Sequence, residues 1–92
     1  MEIHNSTLII KNTDIATNEL DGKIVMMHIE TGKYYNLDTV GTDIWINIDH
    51  DINFENLINK LLSIYNIDKE TCEKDTKIFL TKLQENKMIN FG

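Results

Sequence analysis

The residues of this sequence that could do chemistry are one cysteine, three histidines and a scatter of carboxylates. Cys72 falls on the apolar stripe of a helix with no histidine near it in sequence to act as a base, so it reads as a small buried hydrophobe, not a nucleophile. His4, His28 and His50 lie on an N-terminal arm, a strand and an interhelical loop, and their spacing matches no metal set. Asp49-His50-Asp51 lines up three polar side chains, yet it lacks the glycine and the later glutamate of a calcium loop. Gly22, Gly32, Gly41 and Gly92 are isolated, so no phosphate cradle forms. The expectation is a protein without catalytic residues, metal or cofactor.

Charge narrows the partners. Nine basic against fifteen acidic residues give a formal net charge of −6, and every basic residue is a lysine. Phosphate backbones are held by clustered Lys and Arg, and base edges in the major groove are read most often by bidentate Arg, so nucleic acid is a poor partner. No stretch approaches the ~18 apolar residues of a membrane span. The N-terminal MEIHNSTLII carries an acid and a histidine where a secretory signal would be basic, and cytoplasmic location is expected. Ninety-two residues suit a single domain over 1–92.

The elements that would position any site follow from the period of the apolar residues, which changes near residue 38. Ser6 to Lys11 (STLIIK) reads as a short first strand, and Asn12 to Asp21 as irregular chain ending in a turn at Asp21-Gly22. Lys23 to Ile29 and Lys33 to Leu37 flank Glu30-Thr31-Gly32, which suits a hairpin with a three-residue loop closed by a left-handed glycine. That loop pairs Ile29 with Lys33, Met27 with Tyr35 and Val25 with Leu37, and turns Val25, Met27, Ile29, Tyr35 and Leu37 toward the helices.

From Asp38 the period is helical. Asp38 or Thr39 caps a short helix with Val40, Ile44, Trp45 and Ile48 on its apolar face, and Gly41 within it suggests the close approach of another backbone. Asn53 caps a second helix with Phe54, Leu57, Ile58, Leu61, Leu62 and Tyr65 at helical spacing. Asp68 opens a third, ending near Asn86, with Cys72, Thr76, Phe79 and Leu83 on one stripe. Met88, Ile89 and Phe91 either close the core or make a last short strand. The fold class expected is α+β, winged helix-turn-helix-like, with about three N-terminal antiparallel strands followed by three helices. The third helix sets Lys69, Lys74, Lys77 and Lys82 against Asp68, Glu70, Glu73, Asp75 and Glu85, which disfavours insertion into DNA. Pairs such as Glu70 with Lys74 and Glu73 with Lys77 would lace its solvent face.

The string ELDGKIVMMHIETGKYYNLDTVGTDIWINI, over Glu19 to Ile48, resembles the PqqD-like family: a strand, an acidic-Thr-Gly turn, an aromatic-rich strand ending in Leu, then a helix with Gly and an Ile-Trp pair. Phe54 to Tyr65 and Asp75 to Leu83 are similar to the family's second and third helices, so the resemblance spans about residues 7 to 91. It departs in two places: Asp38 stands where many members have Asn, and Asn86-Lys87-Met88 replaces a Gly-bearing helix end. The resemblance implies a RiPP recognition element, a non-catalytic domain that adds the leader of a ribosomally made precursor peptide as a strand and works with a separate leader peptidase or other modifying enzyme. It also implies the site: Lys33, Tyr34, Tyr35, Asn36 and Leu37 on the strand edge, faced by Cys72, Asp75, Thr76 and Phe79 of the third helix. The "ETGKYYNL" turn is most similar to the lasso-peptide branch; a partner of a radical-SAM enzyme, or a winged-helix regulator, are the alternatives.

Overall fold

The structure, a computed structural model, describes residues 2–92. Among them the elements run β1 (Leu8–Lys11), β2 (Ile15–Leu20), β3 (Lys23–His28), β4 (Tyr34–Asn36), α1 (Thr39–Asn47), β5 (Ile52–Asn53), α2 (Phe54–Ile64), α3 (Lys69–Glu85) and β6 (Ile89–Phe91). The fold is α+β, with the main strands preceding three helices, as the change of apolar period predicts. The strands form two antiparallel three-stranded sheets, ordered β2-β3-β4 and β5-β1-β6. The first strand read from the sequence therefore belongs to a sheet of its own. There it joins a two-residue strand before α2 and the C-terminal strand.

Two sequence expectations fail in the β2-β3-β4 sheet. The stretch expected to be irregular contains β2, whose residues IATNEL are exposed at all but the first position and so show no alternation. Its turn was legible: Leu20 pairs with Lys23 around Asp21 and Gly22, both at positive φ (53° and 79°), the geometry of a tight hairpin. The second failure is the register of β3 with β4. Val25 pairs with Asn36, Met26 with Tyr35 and Met27 with Tyr34, one residue away from the expected pairing. The His28 N–H donates to the Lys33 carbonyl at 3.0 Å, so the loop holds four residues, Ile29 to Gly32. The Ile29 N–H is meanwhile drawn to the Asp14 carbonyl at 2.9 Å on the β2 side. A slip of one residue exchanges the faces. Met26 and His28 are buried and Tyr35 and Leu37 turn inward with them, while Ile29 is 58% exposed.

The helices begin where the sequence places them. Asp38, Asn53 and Asp68 cap α1, α2 and α3, accepting from the backbone N–H of Gly41 (2.7 Å), Asn56 (2.8 Å) and Thr71 (2.9 Å). The core gathers Phe54, Leu57, Ile58 and Leu61 of α2, Leu80 and Leu83 of α3, Ile44 and Trp45 of α1, Met26 of β3, and Ile9 and Ile89 of the second sheet. Trp45 is buried and carries the Lys11 ammonium 4.2 Å above its ring. Thr42 is buried too, and its hydroxyl accepts the Ile24 N–H at 3.0 Å, locking α1 to β3. Val40, expected on the apolar face, is half exposed instead. The expected pairs Glu70 with Lys74 and Glu73 with Lys77 do not form among the described residues; Lys77 lies 5.5 Å from the Phe54 ring.

Candidate functional site

β4 is an edge: its one neighbour in the sheet is β3. The bonds from His28 N–H to Lys33 O and from Leu37 N–H to Ile24 O mark residues 33 and 37 as hydrogen-bonded to β3. By the alternation of an antiparallel ladder Tyr35 joins them, while the backbone N–H and C=O of Tyr34 and Asn36 point away from the sheet, free to pair with another strand. Tyr34 is 70% exposed, and Lys33 and Asn36 are exposed beside it. Tyr35 turns the other way, and its hydroxyl donates to Asn86 Oδ1 at 3.0 Å, tying the strand to the C-terminal end of α3.

From Asn36 the chain passes through buried Leu37 to Asp38, the cap of α1, and there reaches the rim of a largely apolar cavity of about 360 Å³. Its walls are Val40, Gly41 and Ile44 of α1, Leu61 and Tyr65 at the end of α2, Ile67, and the N-terminal half of α3 from Thr71 to Phe79. Gly41 is where the fold demands a small residue: a Cβ there would lie 3.0 Å from Phe79 Cε1 and 3.1 Å from Asp38 Oδ1. The close approach expected at this glycine exists, but the neighbour is an aromatic side chain and not another backbone.

The four helix residues singled out by sequence meet in this cavity. Cys72 and Thr76 are buried and form its floor, Phe79 is half-buried along a wall, and Asp75 is exposed at the rim. Lys33 to Leu37 do not line it; they form the strand edge that leads to it. Sequence reasoning missed Val40, Tyr65 and Ile67 as site residues. The available signal was an apolar residue just after a helix cap and another in the short link between helices, both left 50% and 45% exposed as Val40 and Ile67.

Electrostatics separates the groups around the cavity. Burial pushes the Cys72 thiol up from its ordinary value, against a smaller opposing effect of the Thr76 hydroxyl, so the thiolate is disfavoured. Tyr65 donates its hydroxyl proton to the Asp43 carboxylate, which raises the phenol to about 12. The sequence run at Asp49 is used locally: His50 and Lys60 both hydrogen-bond its carboxylate and hold it below the ordinary range. No group of three or more His, Cys, Asp or Glu able to hold a metal occurs among the described residues. No described helix is long and apolar enough to cross a membrane.

Residues 23–89 match the family described as Coenzyme PQQ synthesis protein D (PqqD). Two solved structures share the fold. One is TbiB1 in complex with the TbiA(beta) leader peptide, 26% identical, with a TM-score of 0.82 over 88% of this chain and 94% of that one. The other is lasso peptide synthetase B1 complexed with the leader peptide, 21% identical, with a TM-score of 0.76 over 89% and 96%. No curated protein matches the chain.

Proposed function

Because this chain belongs to the PqqD family, we propose that it is a non-catalytic adaptor for the leader segment of a ribosomally made precursor peptide. It presents that leader to a separate leader peptidase or other modifying enzyme, in biosynthesis of the lasso-peptide type. The observation that carries the reading is an unpartnered strand edge running into an apolar cavity, in a fold shared with TbiB1, which was solved with a leader peptide on it.

An edge strand offers main-chain donors and acceptors to any extended peptide, and pockets beside it select the sequence. Here the strand Lys33 to Leu37 supplies the backbone contacts, through the outward groups of Tyr34 and Asn36. Of the four α3 residues expected at the site, Asp75 and Phe79 are reachable, with Cys72 and Thr76 buried behind them. The raised thiol of Cys72 supports a role without catalysis, since a nucleophile needs the opposite shift. An adaptor of this kind acts by concentration: a leader held beside its peptidase experiences an effective concentration of roughly millimolar when the geometry fits.

The test is a titration with the synthetic leader of the precursor peptide encoded beside this chain, read by fluorescence polarisation and by amide hydrogen exchange. Saturable binding with new protection at the Tyr34 and Asn36 amides, and little change at Tyr35, which already pairs with β3, is the expected result. Protection confined to β2 or to the second sheet would place the peptide elsewhere, and absence of binding would remove the adaptor reading.

A further inference from the structure

We propose that the hydrogen bond from the Tyr35 hydroxyl to Asn86 sets the position of the leader-pairing strand against α3, and that Asn86 is thereby a positioning residue for leader binding. The inference rests on the leader-binding reading above and adds what holds the binding edge in place.

The strand needs a support outside its sheet. β4 has three residues, pairs with β3 on one side and leaves its other side open, and it follows the exposed segment Ile29 to Gly32. A short strand held along one edge can roll about that ladder, and rolling swings the outward N–H and C=O groups of Tyr34 and Asn36 relative to α3. Tyr35 is placed to stop this, because its side chain leaves the sheet on the face opposite to that of Tyr34. Its ring packs against the core and its hydroxyl donates to Asn86 Oδ1 at 3.0 Å. Among the described residues, no other side chain of β4 hydrogen-bonds another element.

The acceptor is oriented by its own helix. Asn86 ends α3, and both its Nδ2 and its backbone N–H donate to the Lys82 carbonyl, at 2.8 Å and 3.1 Å. With Nδ2 so engaged, Oδ1 is the end of the carboxamide left to accept, and it faces Tyr35. The next residue, Lys87, is held left-handed at φ 60°, and its carbonyl accepts from Asn12 Nδ2 at 2.9 Å. A left-handed residue that is not glycine persists where its surroundings over-determine it. The helix end is thus clamped by its own last turn and by the chain between β1 and β2, which makes it a rigid anchor for a strand 51 residues away in sequence.

The bond lies at the surface, so water replaces it in the unfolded chain and its loss disturbs the fold little. What it supplies is order at the edge. A leader that pairs with a strand already fixed does not have to fix it on binding, and its affinity is higher for that reason.

The experiment is a double-mutant cycle within the protein. The fluorescein-labelled leader of the precursor encoded beside this chain is titrated against the parent, Tyr35→Phe, Asn86→Ala, the double variant and Asn86→Asp, with a thermal melt of each. Tyr35→Phe keeps the packed ring, and Asn86→Asp keeps an oxygen for the hydroxyl. Tyr35→Phe and Asn86→Ala should each weaken leader binding about three- to tenfold, the double variant no further than either alone, and Asn86→Asp by less than about twofold. Melting temperatures should stay near that of the parent, while amide exchange in the unliganded Tyr35→Phe and Asn86→Ala proteins quickens at residue 35 and at Leu37, which pair with β3. Undiminished affinity in folded Tyr35→Phe, with or without a lowered melt, overturns the positioning role and leaves the adaptor reading in place. Losses that add in the double variant overturn it as well. If Asn86→Ala does not fold, Tyr35→Phe and Asn86→Asp decide: a loss in the first alone supports the tie, and equal losses overturn it. No leader binding by the parent overturns both readings.

Discussion

At the scale of single residues, Tyr65 at the cavity wall carries a stability that depends on pH. Its hydroxyl bonds the Asp43 carboxylate, and the phenol is raised from 10.0 to about 12. A group whose folded value lies above its unfolded one stabilises fully below the unfolded value and loses that contribution as pH climbs through the folded one. Tyr65→Phe should therefore melt below the parent by a constant margin up to about pH 10, and the margin should shrink between pH 10 and about 12. Thermal melts of both proteins across that range decide it; a margin that stays constant up to pH 12 would mean that folding does not raise the phenol, and no margin at all would mean that the bond adds nothing. Cys72 and Trp45 were legible as buried residues because each sits on the apolar stripe of its own helix. Gly41 was legible as a close approach, though the neighbour, Phe79, comes from 38 residues along the chain and no local pattern names it.

At the scale of elements, the end of α3 shows a device the sequence conceals. The helix closes with Met88 N–H on the Leu83 carbonyl at 2.9 Å and Lys87 N–H on the Gln84 carbonyl at 3.1 Å, the paired bonds of a Schellman ending. Such an ending needs a left-handed residue, and Lys87 supplies it at φ 60° without being glycine. The left-handed conformation costs an L-residue roughly 1–2 kcal/mol. Lys87→Gly should recover about 1 kcal/mol of that and raise the melting temperature, even though glycine is the more flexible residue in the unfolded chain. A lowered melting temperature would show that the Lys87 side chain contributes more than its backbone strain removes. Helix starts were legible because a cap involves residues three apart. The β3-β4 register was not, because Glu30-Thr31-Gly32 is compatible with two loop lengths, and the choice is made by Asp14 drawing off the Ile29 N–H from a neighbouring strand.

At the scale of the whole molecule, β1 lies between β5 and β6 and so joins the beginning, middle and end of the described chain. Met88 and Ile89 are buried beneath that sheet, and the Met88 carbonyl accepts the Asn12 N–H at 3.0 Å. Deleting residues 88–92 removes two large core side chains, each worth about 2–5 kcal/mol, from a domain stable by about 5–15 kcal/mol. The truncated chain should lose its cooperative thermal transition, monitored by circular dichroism; a sharp melt near that of the parent would show that the sheet closes without β6. The sequence by itself determined the three helices, their caps, most of the buried stripe of each and the strands-then-helices order. These rest on composition and on contacts a few residues apart. Only the tertiary structure decided that the polar run after Asn12 becomes a strand, which face of the hairpin is buried, and that Val40, Ile67 and Phe79 meet at one cavity beyond the strand edge. Each depends on a partner tens of residues away or on a ladder bond whose register local pattern leaves open, and packing alone selects among the options.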